Sequence, residues 1–146
     1  MFNNVELCDL IPHAGKMCLI DTVDVWDNDS IVCTTKTHQQ PDNPLLSNGV
    51  LPISALIEYG AQAMAVHGAL LAQKAGEQMQ EGYLAALKNI EFHQNSAVNG
   101  ILLPLSIKAT KQFATQGNMI YQFSVVFKGN DLISGTATVM AVFNEE

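Results

Sequence analysis

From Leu51 to Gln73 the chain reads LPISALIEYGAQAMAVHGALLAQ, and Glu58 is its only formally charged side chain. The run lacks period-two alternation and is rich in Ala, Leu, Ile and Met, so it predicts a helix that is apolar on nearly every side. Such a helix must be enclosed. A bilayer would be one enclosure, since about 20 residues suffice to span it. Glu58, Gln62 and His67 would then lie in hydrocarbon, where one central charge costs about 2.5 to 3.5 kcal/mol. A protein core is the better enclosure. Pro52 suits the first helical turn, where no amide hydrogen is required, and the SNG before it supplies a turn and cap. Gly76, in the polar stretch KAGEQMQEG, ends the helix.

The remaining sequence supplies that core as strands. Upstream, KMCLIDTVDVWDND and SIVCTTKTH are β-rich runs joined at DNDS, which reads as an antiparallel pair. Downstream come YLAALKNIEFH, LLPLSIKATKQFA, MIYQFSVVFKG and LISGTATVMAVF, separated by turn formers at NSAVNG, TQGN and GND. No repeat, linker or low-complexity tract divides residues 1–146, so the order is two strands, one helix and a run of strands in one domain. The fold class is α+β: one antiparallel β-sheet wrapped around a long central helix, the hot-dog arrangement.

Composition narrows the function. Hydrophobic residues make up 48% and charged residues 14%, which excludes a disordered chain and implies that a second subunit covers part of the surface, as a homodimer or higher oligomer. The net charge is −7 and the seven basic residues are scattered lysines with no arginine, so nucleic acid is not a partner. Cys8, Cys18 and Cys33 match no zinc or redox spacing and read as buried reduced thiols. With no basic n-region or apolar h-region at the start, the expected location is cytoplasmic. His67 and His93 have no companion at metal-ligand spacing and no Gly-rich phosphate motif occurs, so neither metal nor cofactor is expected.

The chemistry centres on Glu58. A carboxylate withdrawn from water without a partner tends toward its protonated form, the state useful to a general acid or base near neutral pH. Ser54 at i−4 and Gln62 at i+4 share its stripe, whereas His67 faces the other way. Structural hydrogen bonding is the competing explanation for this stripe. The loop THQQPDNPLLSNG, carrying His38 and Asn43, runs into the helix N-terminus, whose free amides and positive dipole end suit a developing negative oxygen such as that of a thioester enolate.

Three segments, LIPHAGKMCLID, NPLLSNGVLPISALIEYGAQAMAVHGALLA and GYLAALKNIEF, together resemble the hot-dog 3-hydroxyacyl-[acyl carrier protein] dehydratases, and more closely a divergent branch associated with aryl-polyene-type pigments. The resemblance covers nearly the whole chain, and LPISALIEYGAQA is its most specific part. It implies that Glu58 is the helix carboxylate, that Gln62 belongs to the accompanying AQ pair, that Gly49 and Val50 lie near the thioester oxygen, and that His13 is structural. The sequence departs from the better-known members at the histidine loop. Their H-F-P motif is met here by NPL, with Asn43 at the histidine position, and His38 is the nearest histidine.

Dehydration of a 3-hydroxyacyl thioester needs a base for the Cα proton, an acid for the departing hydroxyl and donors at the thioester oxygen. His38 is assigned as base, Glu58 as acid, and the amides near Gly49 and Val50 as donors, with Asn43 and Gln62 in contact with substrate. The substrate would arrive on acyl carrier protein or coenzyme A, held by some of Lys16, Lys36, Lys74, Lys88, Lys108, Lys111 and Lys128. Two other readings stay open. An acyl thioesterase would use Glu58 as nucleophile or base, with Asn43 or Gln62 positioning the carbonyl or water. A non-catalytic partner subunit of a heteromeric dehydratase would leave Glu58 without a chemical task.

Overall fold

The computed structural model describes residues 18–76, 79–94, 97–115 and 118–143, with backbone alone for 79–83 and 141–143. Strand β1, Thr22–Trp26, pairs antiparallel with β2, Ser30–Thr35. The turn between them closes because Asp27 Oδ1 accepts the Asp29 and Ser30 amides at 2.8 Å each. A 3-10 turn, Ile53–Ala55, leads into α1, Leu56–Lys74. Then come β3 (Met79–Phe92), β4 (Leu105–Thr115), β5 (Asn118–Phe127) and β6 (Asn130–Phe143). The six strands form one sheet in the order β1-β2-β4-β5-β6-β3, with every neighbouring pair antiparallel.

The chain leaves the sheet after β2, builds the helix and returns, so β2 and β4 pair across it, with Ser30 opposite Thr110 and Thr35 opposite Leu105. Curvature then brings β2, β3, β4, β5 and β6 all into contact with α1. Leu56, Tyr59, Ala63, Met64, Val66 and Leu70 of the helix are buried against Ile31, Ile107, Tyr121, Phe123 and Ile133 of the strands. This is the hot-dog architecture expected from the sequence, and it encloses the apolar helix with protein. Among the described residues no helix is long and apolar enough to cross a membrane.

Close packing is set by glycine at the centre of this interface. A Cβ built on Gly60 would lie 2.5 Å from Phe123 Cδ2, and one on Gly135 would lie 2.2 Å from Ile90 Cδ1. Phe123 is 1% exposed and has nowhere to withdraw.

Several local details differ from the sequence reading. Pro52 precedes the helix in extended conformation and caps the 3-10 turn, so α-helical bonding starts at Leu56 rather than near Leu51. SNG forms a turn, and no side chain caps the helix. Strand β3 begins at Met79, within the stretch assigned to the helix end. Gly76, at φ +79°, does terminate the helix. Cys33 carries a free buried thiol whose pKa is pushed up to about 12 by burial and the nearby Asp24. Cys18, in contrast, is disulfide-bonded, which corrects the expectation of reduced thiols there. Cys8, His13 and Lys16 lie outside the described residues.

Candidate active site

The region before α1 is irregular backbone, and side chains supply the hydrogen bonds that a ladder would otherwise make. Asn43 is 5% exposed. Its Nδ2 donates to the Thr37 carbonyl and to the Tyr59 hydroxyl, each at 2.9 Å, while its Oδ1 accepts the Leu45 amide at 2.8 Å. Thr37 Oγ1 stands 2.9 Å from the same tyrosine hydroxyl and donates to the Leu19 carbonyl at 2.7 Å. Thr35 Oγ1 donates to that carbonyl as well, at 2.6 Å. Asn43 therefore holds the loop to Tyr59 of the helix. Tyr59 was not singled out by sequence, because a tyrosine in an apolar helix reads as core. Burial holds its hydroxyl pKa above the ordinary value despite these bonds.

His38 lies in a short 3-10 turn, Thr37–Gln39, and is 0% exposed. Its Nε2 is 2.9 Å from the Ile101 carbonyl. A carbonyl only accepts, so Nε2 carries the ring proton and Nδ1 of the neutral ring has a bare lone pair. Burial lowers the pKa of His38, with the Ile101 and Leu103 backbone opposing that shift in part. Among the described residues Nδ1 has no hydrogen-bond partner, and neither does the buried Nε2 of the neighbouring Gln39. Unsatisfied buried polar atoms are rare enough to point to use by a ligand or a partner chain.

The turn Ser47–Val50 connects this loop to the helix. Its ends pair reciprocally: the Ser47 amide donates to the Val50 carbonyl at 2.8 Å, and the Val50 amide to the Ser47 carbonyl at 3.0 Å. Asn48 and Gly49 occupy positive φ, at 52° and 77°. The Val50 amide is thus engaged within the turn. The Gly49 amide has no partner among the described residues, and a Cβ on Gly49 would meet nothing within 4 Å. Asn99, from the 3-10 turn Val98–Gly100, donates through Nδ2 to the Gly49 carbonyl at 3.0 Å and accepts the Leu51 amide through Oδ1 at 3.1 Å. Its sequence context, NSAVNG, read only as turn residues.

Glu58 sits in the first turn of α1, half-buried, with no hydrogen bond or ion pair among the described residues. Ser54, one turn earlier, is exposed. Gln62, one turn later, is 6% exposed, and its Oε1 accepts the Leu19 amide at 2.7 Å. The stripe therefore divides: Gln62 anchors the segment before β1, and Glu58 faces outward. Glu58 and His38 make no bond to each other within the chain.

His67 belongs to a separate buried group. Its Nε2 is 2.8 Å from the Asp27 carbonyl, which fixes the proton there, and the Tyr121 hydroxyl donates to Nδ1 at 2.6 Å. His93 is exposed beside Ser134 and Glu91. Among the described residues no cluster of His, Cys, Asp or Glu is arranged to hold a metal ion. A cavity of about 380 Å³ opens beside Cys18, Leu19, Thr37, Gln40, Asp42, Asn43 and Pro44. A shallower one of about 730 Å³ lies at the far end of α1, among Trp26, Leu70 and Lys74. Neither is lined by Glu58 or His38.

No curated protein matches the chain. The dehydratase heterocomplex ApeI:P from Xenorhabdus doucetiae contains a chain that superposes with a TM-score of 0.83 at 18% identity, covering 93% of this chain and 90% of that one. A thioesterase from Haemophilus influenzae gives 0.66 at 13% identity over 97% and 92%, and a hypothetical thioesterase with coenzyme A from Streptococcus pneumoniae gives 0.60 at 13% over 86% and 88%. At these identities the structures establish the shared hot-dog fold. The family model described as ApeP-like, ApeP dehydratase, matches residues 5–145, and the chain belongs to that dehydratase family.

Proposed function

We propose that the dehydratase acts on a 3-hydroxyacyl thioester carried by acyl carrier protein, in a polyene or fatty-acid-like biosynthesis, with His38 as base and Glu58 as acid. The observation that carries this is the His38 ring. Its bond to Ile101 puts the proton on Nε2, and burial favours the neutral form, so Nδ1 is an unprotonated base with no partner among the described residues. Nδ1 takes the Cα proton, the C–H electrons form the C2–C3 double bond, and the C3–O bond breaks as the Glu58 carboxyl, acting as general acid, delivers a proton to the leaving hydroxyl. Water departs with the thioester intact. The Gly49 amide and the N-terminal end of α1 stabilise the charge that develops on the thioester oxygen.

The active site is assigned to a dimer. Among the described residues Glu58 has no partner and is not bonded to His38 within one chain, and exposed apolar side chains follow Ile101, whose carbonyl bonds His38: Leu102 is 80% exposed and Leu103 47%. A second chain over this face would bring its own Glu58 toward His38 and cover those leucines. Two copies of this chain satisfy that arrangement. The ApeI:P complex, built from two different chains as its name states, favours a second reading in which this chain is one half of a heteromeric dehydratase.

Mass spectrometry of the purified protein, alone and with Glu58→Gln as control, tests the proposal on 3-hydroxyacyl and saturated acyl thioesters of acyl carrier protein and coenzyme A. Loss of one water, dependent on Glu58 and with the thioester intact, is the expected result. Free thiol from both substrate types would replace the proposal with thioester hydrolysis. No turnover of any thioester would move the assignment to the partner-subunit reading.

A further inference from the structure

The four residues Val98–Ile101 fasten three separate parts of the proposed site. Leu51, the last residue before the helix-start segment, is gripped at both ends: its amide by Asn99 Oδ1 at 3.1 Å, its carbonyl by the Val98 amide at 2.9 Å. The Gly49 carbonyl is held by Asn99 Nδ2 at 3.0 Å. Two residues further along, the Ile101 carbonyl takes the Nε2 proton of His38 at 2.9 Å, and Ile101 is itself tied to Val98 by a 3.1 Å backbone bond. Leu51 and Val98 are both 0% exposed, so the junction is anchored by packing as well as by hydrogen bonds.

A primary carboxamide presents one N–H donor and one C=O acceptor along a single edge. By bonding the carbonyl of residue 49 and the amide of residue 51, Asn99 does what one residue of a parallel strand does to its neighbour. It thereby stabilises a turn with two consecutive positive-φ residues, one of which, Asn48, is not glycine. Among the described residues the Gly49 amide is left without a partner, and the space beside its Cα is open.

We propose that Asn99 is a positioning residue: it sets the Gly49 amide toward the thioester oxygen, in fixed register with His38 through the shared segment Val98–Ile101. This rests on the reading of the Gly49 turn as the thioester-oxygen site. Asn99 itself touches no substrate; its effect passes through residues 49 and 51. Only an amide supplies both bonds. Aspartate retains the acceptor for Leu51 but places an oxygen against the Gly49 carbonyl, so Asn99→Asp breaks one bond of the pair while preserving volume.

The test combines kinetics with a readout that needs no turnover. In wild type, ¹⁵N-¹H spectra titrated with a saturated acyl-pantetheine thioester should show the Gly49 amide moving downfield. In Asn99→Asp that shift should be lost. Turnover of 3-hydroxyacyl thioester should fall ten- to a hundredfold in kcat with KM changed less than threefold, while the thermal midpoint stays within a few degrees. A Gly49 shift that survives Asn99→Asp, or a variant with a lowered midpoint and unaltered kcat, would reduce Asn99 to a structural fastener and overturn the proposal. A wild-type Gly49 amide that does not respond to the thioester would overturn it too. If wild type turns nothing over but its Gly49 shift is present and Asn99-dependent, the dehydration mechanism fails and the positioning role stands.

Discussion

Asn43 Nδ2 and the Tyr59 hydroxyl are bonded at 2.9 Å, which joins the loop carrying His38 to the helix carrying Glu58. Tyr59 is fully buried, and its hydroxyl is met from the other side by Thr37. Removing that hydroxyl leaves Asn43 with its Thr37 carbonyl but deprives the loop of its attachment to α1. Tyr59→Phe is expected to lower stability by about 1 to 2 kcal/mol, and to slow turnover less than loss of His38 does. Urea denaturation of the variant checks this; an unchanged midpoint would mean that the bond does not hold the loop.

Gly60→Ala should destabilise the protein even though alanine improves helix propensity by about 1 kcal/mol. The added methyl would fall 2.5 Å from the ring of buried Phe123, between the helix and β5. Overpacking of this kind costs about 1 to 3 kcal/mol. The outcome should reverse in Gly60→Ala combined with Phe123→Leu, where the smaller side chain gives way, and the double variant measured by urea denaturation provides the comparison.

Acidification below about pH 6.5 should weaken the fold through two buried histidines. His38 and His67 both have pKa values lowered from 6.5, chiefly by burial. Each binds its proton less readily folded than unfolded, so the stability it contributes is complete above about pH 6.5 and is lost as the pH falls from there toward the lower folded value. The slope is at most about 1.4 kcal/mol per pH unit for each group. Unfolding free energies from pH 7.5 to 5 should show the decline, and His67→Gln should flatten it. A pH-independent midpoint over this range would contradict the burial assigned to both rings.

Gln62→Met keeps the length of the side chain and removes the acceptor of the Leu19 amide. A buried donor without a partner costs about 1 to 3 kcal/mol. Faster hydrogen exchange at the Leu19 amide should accompany the loss, because this bond fixes residues 18–21 against the helix. Protection equal to wild type at that amide would show that Gln62 is dispensable there.

The helix and the succession of strands along the chain are legible in the sequence because they rest on periodicity and on local breakers. Gly76 ends the helix through its own φ, and Asp27 closes the β1–β2 turn within four residues. The start of strand β3 is not marked in the sequence. It is an edge strand whose residues 85–89 are all exposed, with Asn89 at φ 53° and three register shifts against β6, so no alternation marks where it begins. Site residues split along the same line. Glu58 stands out as a lone charge in an apolar run. Asn99 and Tyr59 do not, since their partners are 48 to 50 and 16 to 22 positions away, and only the folded backbone brings Asn99 to Gly49 or Tyr59 to Thr37.

The pairing of β2 with β4 has a kinetic consequence. Strands β4, β5 and β6 follow one another through short turns, so they can zip as a meander with little loop entropy to overcome. Ser30 can meet Thr110 only after the helix between them has been placed, across a sequence separation of 80. Contacts of such high sequence separation slow the search for the native state. The ring around α1 is therefore expected to close last, from the β4–β6 side toward β2. Mutations at Ile31 and Cys33 should then accelerate unfolding while leaving refolding nearly unchanged, and those at Val125 and Ile133 should slow refolding.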